Sequence, residues 1–309
     1  MKSRTNQLSK IMKNNKPADY LKEIKRIFLF HYPERNFRPI NKAYTITKNL
    51  FEGNYPGYRS CNTLYHDFRH TLDATLAAVR LLDGYSLDKK PMNNETARDL
   101  IIAALFHDSG YIQKKSDFRG TGAKYTKDHV NRSIEFVAHI HDQLQLNSSH
   151  VERISWYIQS TGLNTSFNDI PFKSREERTA GAMLGSADLL GQMADRDYLE
   201  KLLFLYYEFR EAGVPGYDTE FDIIRKTRGF YELTASRLKN EYLNVQRFSK
   251  FHFKTRHNIN SNLYTVAIKR HMKYLNGIID DEGTNFRAKL KRGDQVMIKS
   301  EVTKNKLKN

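Results

Sequence analysis

The chain has 309 residues, of which 39% are hydrophobic and 12% aromatic. That is enough apolar material to build a sizeable core, and it excludes a chain that is disordered throughout. Lys and Arg number 51 against 35 Asp and Glu, a net charge of +16, which favours an anionic partner: nucleic acid, a membrane surface or a phosphorylated small molecule. The single cysteine, Cys61, excludes an internal disulfide and a cysteine-rich zinc module and points to a reducing, cytoplasmic setting. No apolar run reaches the roughly 20 residues that span a bilayer, and the basic N-terminus MKSRTNQLSKIMKNNK lacks the apolar stretch of a secretory signal.

Apolar residues recur at three-to-four spacing between sparse Gly and Pro, the helical period. The spacing predicts helices from Ala18 to Phe30, Phe68 to Leu82, Glu95 to Phe106, Lys127 to Leu144 and Ser148 to Gln159. Four more follow, from Glu176 to Met193, Asp197 to Glu211, Glu220 to Asn244 and Asn262 to Ile279. Asn94, Ser148 and Asp197 supply polar chemistry at three of the starts. Loops are expected over Gly84 to Asn94, Tyr111 to Thr126 and Thr161 to Ser174, the second rich in glycine. The reading is an all-α helical bundle with extra flanking helices. One domain covers residues 18–282, with its core at about 65–210, between basic tails over 1–17 and 283–309.

Three segments carry chemistry. His66 and His70 stand four residues apart, about 6 Å along one helical face; the spacing suits two ligands, or one ligand beside a reacting group, and also arises by chance on a surface. His107 and Asp108 end a strongly apolar helix just before Gly110. Adjacent imidazole and carboxylate there suit a divalent cation, and a helix end with a glycine stop is the plainer reading. Asp188 falls among small and apolar residues, where a carboxylate needs a cation: a metal ion, or Arg196 or another basic side chain as a structural partner. Counted together, two histidines, an adjacent aspartate and a distant one make a complete ligand set.

The order His, His-Asp, distant Asp on successive helices resembles the HD superfamily of metal-dependent phosphohydrolases, over roughly Tyr65 to Glu208. Within it, His66-Asp67-Phe68-Arg69-His70 is similar to the H-N-x-x-H segment of the cyclic-nucleotide phosphodiesterases, with Asp67 in place of Asn. The H-D-x-x-H-P-G continuation of that branch is absent after Asp108. So are the double-histidine and G-Y-P signature of the cyclic-di-GMP hydrolases and the E-D pair of the alarmone hydrolases. The resemblance implies His70, His107, Asp108 and Asp188 as metal ligands and His66 as proton donor to the leaving oxygen. His129 stands where many relatives hold a second metal or the substrate phosphate. Arg69 and Lys124 are candidates to neutralise phosphate charge.

The implied activity is hydrolysis of a phosphoester, a nucleotide or a cyclic nucleotide, by water activated on a divalent ion. One or two ions are implied, and the donor set does not choose among Mn, Mg, Fe, Zn and Ni. A nucleotide-sensing module without turnover, and a basic nucleic-acid-associated protein with a structural core, are the alternatives; in the latter the tails would carry the binding. The aromatic stripe after Tyr198 and the mixed basic and aromatic run from Arg247 to His257 are read as helix packing, and Cys61 as a packed small hydrophobe.

Overall fold

The computed structural model describes residues 16–281 and 285–290, together with Leu8 and Ile11. Among the described residues the chain is all-α: α1 (Pro17–Phe28), α2 (Phe37–Glu52), α3 (Phe68–Asp88), α4 (Asn94–Phe106), α5 (His129–Ile140), α6 (Ser148–Gln159), α7 (Arg175–Met193), α8 (Tyr198–Glu211), α9 (Glu220–Asn240), α10 (Ser249–His257) and α11 (Leu263–Ile279). None of these helices is long and apolar enough to cross a membrane.

Helix α3 is the axis of the bundle. Most of its residues are buried, because α1, α4, α7 and α10 pack around it. Its start is fixed by Asp67, whose carboxylate accepts from the His70 backbone N–H at 2.8 Å. A capping carboxylate satisfies a donor that the first turn leaves unpaired, so Asp67 sets the phase in which His70 enters the interior. The helix runs on through Gly84 to Asp88, where the sequence suggested a loop. A Cβ on Gly84 would stand 1.9 Å from the Phe248 carbonyl oxygen, so glycine here answers to close packing rather than to a turn.

Two helices escape the periodicity. In α2, Pro39 lies in the first turn, where its missing N–H leaves no hydrogen bond unmade. Helix α10 emerges from the basic and aromatic run, with His252 and Phe253 buried and Lys254 exposed, in line with helix packing. Caps also shift by a residue: Asn93, not Asn94, accepts from Glu95 N–H, and Asn147 caps α6 ahead of Ser148.

The expected tails lie largely outside the described residues. Pro17 already belongs to α1. Residues 285–290 pack back on the bundle: Phe286 lies 5.4 Å from the Phe221 ring, Arg287 Nε donates to Glu220 at 2.7 Å, and Leu290 is buried.

A buried ionic knot ties α3 to α10. Asp83 accepts from His31 at 2.8 Å, from His252 Nδ1 at 2.7 Å and from Arg256 at 2.7 Å. Burial, the largest single influence, pushes the Asp83 carboxyl up, yet these three partners together hold it far below the usual carboxylate range. Burial dominates at His252 and pushes its imidazole down to about 4. Between about pH 6.5 and 4 the unfolded chain therefore binds a proton at His252 that the folded chain refuses, so this part of the stability falls as pH falls. The depressed Asp83 acts in the same direction below about pH 4. We expect wild-type stability in urea to fall by up to about 2.5 kcal/mol relative to that of His252→Gln between pH 6.5 and 4.5; equal changes in both proteins would contradict a neutral buried imidazole.

Candidate metal centre

Four side chains from three helices converge beside α3. His70 enters from its first turn, His107 and Asp108 from the end of α4, and Asp188 from α7. The placement of the pair follows from α4, whose residues from Leu100 to Phe106 are all buried, so the helix delivers its last turn into the interior. A short 3-10 turn, Ser109–Tyr111, then reverses the chain. Ser133 of α5 closes that turn, donating to the His107 carbonyl at 2.6 Å and accepting from Gly110 N–H at 2.9 Å. A Cβ on Gly110 would lie 2.0 Å from the His129 carbonyl oxygen. Gly110→Ala is thus expected to push α5 off the turn, costing about 1–3 kcal/mol and lowering metal content. Thermal melts with metal analysis check this, and a wild-type melting point would refute it.

His70 Nε2 lies 3.1 Å from Asp108 Oδ2 and 3.2 Å from Asp188 Oδ1; His107 Nε2 lies 3.3 and 3.6 Å from the same two oxygens. His107 Nε2 and Asp108 Oδ2 are both buried, and neither makes a hydrogen bond. The atoms are close without being aligned on one another, as ligands of a shared centre are. Bonds of about 2.1 Å to one ion place neighbouring ligand atoms about 3.0–3.4 Å apart. His107 is also oriented for ligation: its Nδ1–H donates to the Ala104 carbonyl at 2.8 Å, which turns Nε2 toward the cluster as the atom that would bind an ion once its proton is displaced. His70, His107 and Asp108 each offer a ligand atom within 4.8 Å of the others and fit a divalent cation, and Asp188 faces the two imidazoles from α7.

The charges agree. Burial is the largest influence on each of the four groups and opposes ionisation, but the pairing outweighs it. The two carboxylates hold the His70 imidazole up at about 10 and the His107 imidazole well above its ordinary value. The two imidazoles in turn hold Asp108 and Asp188 below the usual carboxylate range. Protons thus stand in for a cation among these groups. Asp188 finds its partners in His70 and His107, not in Arg196.

His66 stands at the edge of the cluster, its ring 5.6 Å from that of His70. Its Nδ1 is 2.6 Å from Glu208 Oε2, and Glu208 Oε1 accepts from the backbone N–H groups of Leu64 and Tyr65 at 2.9 and 2.7 Å. Glu208 thereby fixes both the chain that carries His66 and the ring itself. The buried Tyr111 ring stacks on both His66 at 4.3 Å and His129 at 4.6 Å, whose own rings are 6.3 Å apart. His129 repeats the His107 arrangement: Nδ1–H donates to the Thr126 carbonyl at 2.8 Å, and Nε2 lies 3.8 Å from Asp108 Oδ1. Burial holds its imidazole below the ordinary histidine range.

The other two candidates lie among different partners. Arg69, half-exposed, faces Asp73 at 3.8 Å and Asp195 at 3.9 Å, and Lys124 pairs with Asp117 and the Arg119 carbonyl. Cys61 is a packed thiol, pushed up to about 12 by burial. Sequence reasoning missed Glu208 and Tyr111. For Glu208 a signal existed, a lone carboxylate at the end of the apolar run LLFLYYEF, only 4% exposed in the fold; for Tyr111 there was none beyond its place after Gly110.

Residues 56–269 match the family model described as Npun_R2479-like, a span that contains every residue of the cluster, His66, His129 and Glu208. No curated protein matches the chain.

Proposed function

The chain belongs to the Npun_R2479-like family, and we propose that it is an HD-type, divalent-metal-dependent phosphohydrolase acting on a small anionic phosphoester, a nucleotide or cyclic nucleotide. The observation that carries this reading is the convergence of His70 Nε2, His107 Nε2, Asp108 Oδ2 and Asp188 Oδ1 within 3.1–3.6 Å across the His–Asp pairs, with a carboxylate-held histidine alongside. Those four side chains would hold the ion. Asp108 Oδ1 and His129 Nε2, facing one another without a hydrogen bond, would hold a second. When bound, a divalent cation polarises a phosphoryl oxygen and makes water a nucleophile near neutral pH.

The chain's own residues supply the rest. Protonated His66 keeps its Nδ1–H on Glu208 and presents Nε2–H to the leaving oxygen, while the carboxylate stabilises the imidazolium until the proton is given up. Tyr111 fixes the plane of the ring and keeps water from one of its faces. The net positive charge raises the local concentration of an anionic substrate, so a polymeric partner is not needed to account for it.

Metal analysis of the purified protein, with hydrolysis assays on phosphomonoesters, cyclic nucleotides and deoxynucleoside triphosphates, tests the reading. Metal-dependent turnover abolished by a chelator and restored by a divalent ion is expected; metal binding without turnover of any of these classes would favour a sensor. Glu208→Gln is expected to lower kcat about 10–100-fold with KM and metal content unchanged. Loss of metal in that variant would show that Glu208 serves the ligands rather than His66.

A further inference from the structure

The positive charge is unevenly spread. Residues 1–48 carry twelve Lys and Arg against three Asp and Glu, a net +9 of the chain's +16. This stretch lies ahead of residue 56, where the match to the family model begins, and supplies none of the candidate ligands. Steering a small substrate asks for no more than a diffuse field; it does not ask for cations gathered in one place.

Helices α1 and α2 turn their apolar residues inward: Ile24, Ile27 and Phe28 of the first and Phe37, Ile40 and Tyr44 of the second are buried. What they leave outward is largely of one sign. Arg38, Asn41, Lys42 and Thr45 share the exposed face of α2, Arg35 is exposed just ahead of it, and Lys22 stands one turn before Lys25 on α1. Solvated helix faces ordinarily mix the two signs, as α9 does with Arg225 on Asp222 and Arg228 on Asp280. Here Glu34 pairs with Lys25 at 2.7 Å. Among the described residues, Lys22, Arg35, Arg38 and Lys42 have no ion-pair partner.

These side chains surround a cleft. Lys25, Glu34, Arg35, Phe37, Arg38 and Asn41 line a half-open cavity of about 510 Å³ between α1 and the start of α2. Three cations thus face one space with a single carboxylate, and they repel one another until an anion joins them. Two guanidiniums offer planar forks that match phosphate oxygens, and Asn41 adds a neutral donor of the kind that phosphates also take. Pockets for small molecules are walled mainly by apolar and aromatic side chains, whereas Phe37, the apolar member of this lining, is only 3% exposed. The polar row also outruns the cleft: Lys42 and Thr45 carry the Arg38 face about 10 Å further along α2. A ligand with repeated phosphates uses the whole row.

We propose that the cleft between α1 and α2 binds the phosphodiester backbone of a single-stranded nucleic acid. Lys25, Arg35 and Arg38 contact phosphates inside it, and Lys42 extends the track. A single strand bends into the cleft, while a stiff duplex and a flat bilayer surface meet its rim.

Fluorescence anisotropy of the full chain with a labelled oligothymidylate, repeated over a range of salt, tests the site. Lys25→Gln/Arg35→Gln/Arg38→Gln is expected to weaken binding at least about 10-fold and to lower the slope of log Kd on log salt by about 2, with metal content unchanged. Lys269→Gln/Arg270→Gln/Lys273→Gln removes the same charge from the exposed face of α11 and is expected to cost less than about 3-fold. Equal weakening by the two variants would overturn the proposal. So would no binding of the strand, or tighter binding of duplex DNA or of phosphatidylserine vesicles. Should the triple variant not fold, Arg38→Gln alone is expected to lower the salt slope by about 1, and an unchanged slope would count against the cleft.

Discussion

Asp108→Ala is expected to leave the purified protein without its divalent ion and without phosphoesterase activity. Asp108 faces both ligand histidines through Oδ2 and His129 through Oδ1, so its loss removes a shared anchor rather than one bond. Changing an outer partner of a metal ligand typically costs 10–100-fold in affinity or activity; removal of this carboxylate should exceed that range, below the detection limit of a phosphodiester assay. The fold should survive, because α4 is held by its apolar run and by Asp99, which binds Arg98, His150 and Arg153. Metal content by elemental analysis, circular dichroism and turnover together decide the matter. Wild-type turnover in a folded Asp108→Ala protein would remove the proposed site from consideration.

Asp83→Ala should produce a large loss of stability without touching the metal centre. The carboxylate is fully buried, and its removal strands His252, which is also fully buried, and Arg256, of which only 14% is exposed. Leaving one side of such a pairing without its partner costs about 3–5 kcal/mol, which for a domain of this size lowers Tm by roughly 10 °C. Asp83→Asn retains an acceptor and should lose less. The readout is a thermal melt with chelator present, so that metal occupancy does not enter the comparison. A shift below 2 °C would mean that His252 and Arg256 find other partners.

The fold was legible wherever the pattern was local. The apolar stretch of α4 and the small-residue spacing of α7 announce helices, and the two helices that escaped notice have plain reasons. Pro39 disguises the start of α2, and basic residues dilute the apolar face of α10. The candidate cluster was legible in part because an aspartate amid Gly, Ala and Leu, as at Asp188, needs a cationic partner, and the fold sets it beside His70 and His107. Glu208 and Tyr111 were not, since what gives them meaning is proximity across the fold: Glu208 lies 142 residues from the histidine it holds. Asp67 illustrates the reverse case. Set against the Asn of the related motif it looked like a departure, but a carboxylate and an amide serve equally as the cap of α3.

The proposed ligands stand at positions 70, 107, 108 and 188, and only the adjacent pair is close in sequence. No short stretch of the unfolded chain can gather them, and without cysteine among them an unfolded chain has little hold on a divalent ion. The native state alone would then bind it, so each tenfold rise in free ion above its dissociation constant would add about 1.4 kcal/mol to the stability of the whole bundle. The ion would act as a thermodynamic clasp on α3, α4 and α7, and the supply of metal would govern how long the protein lasts as well as how fast it works.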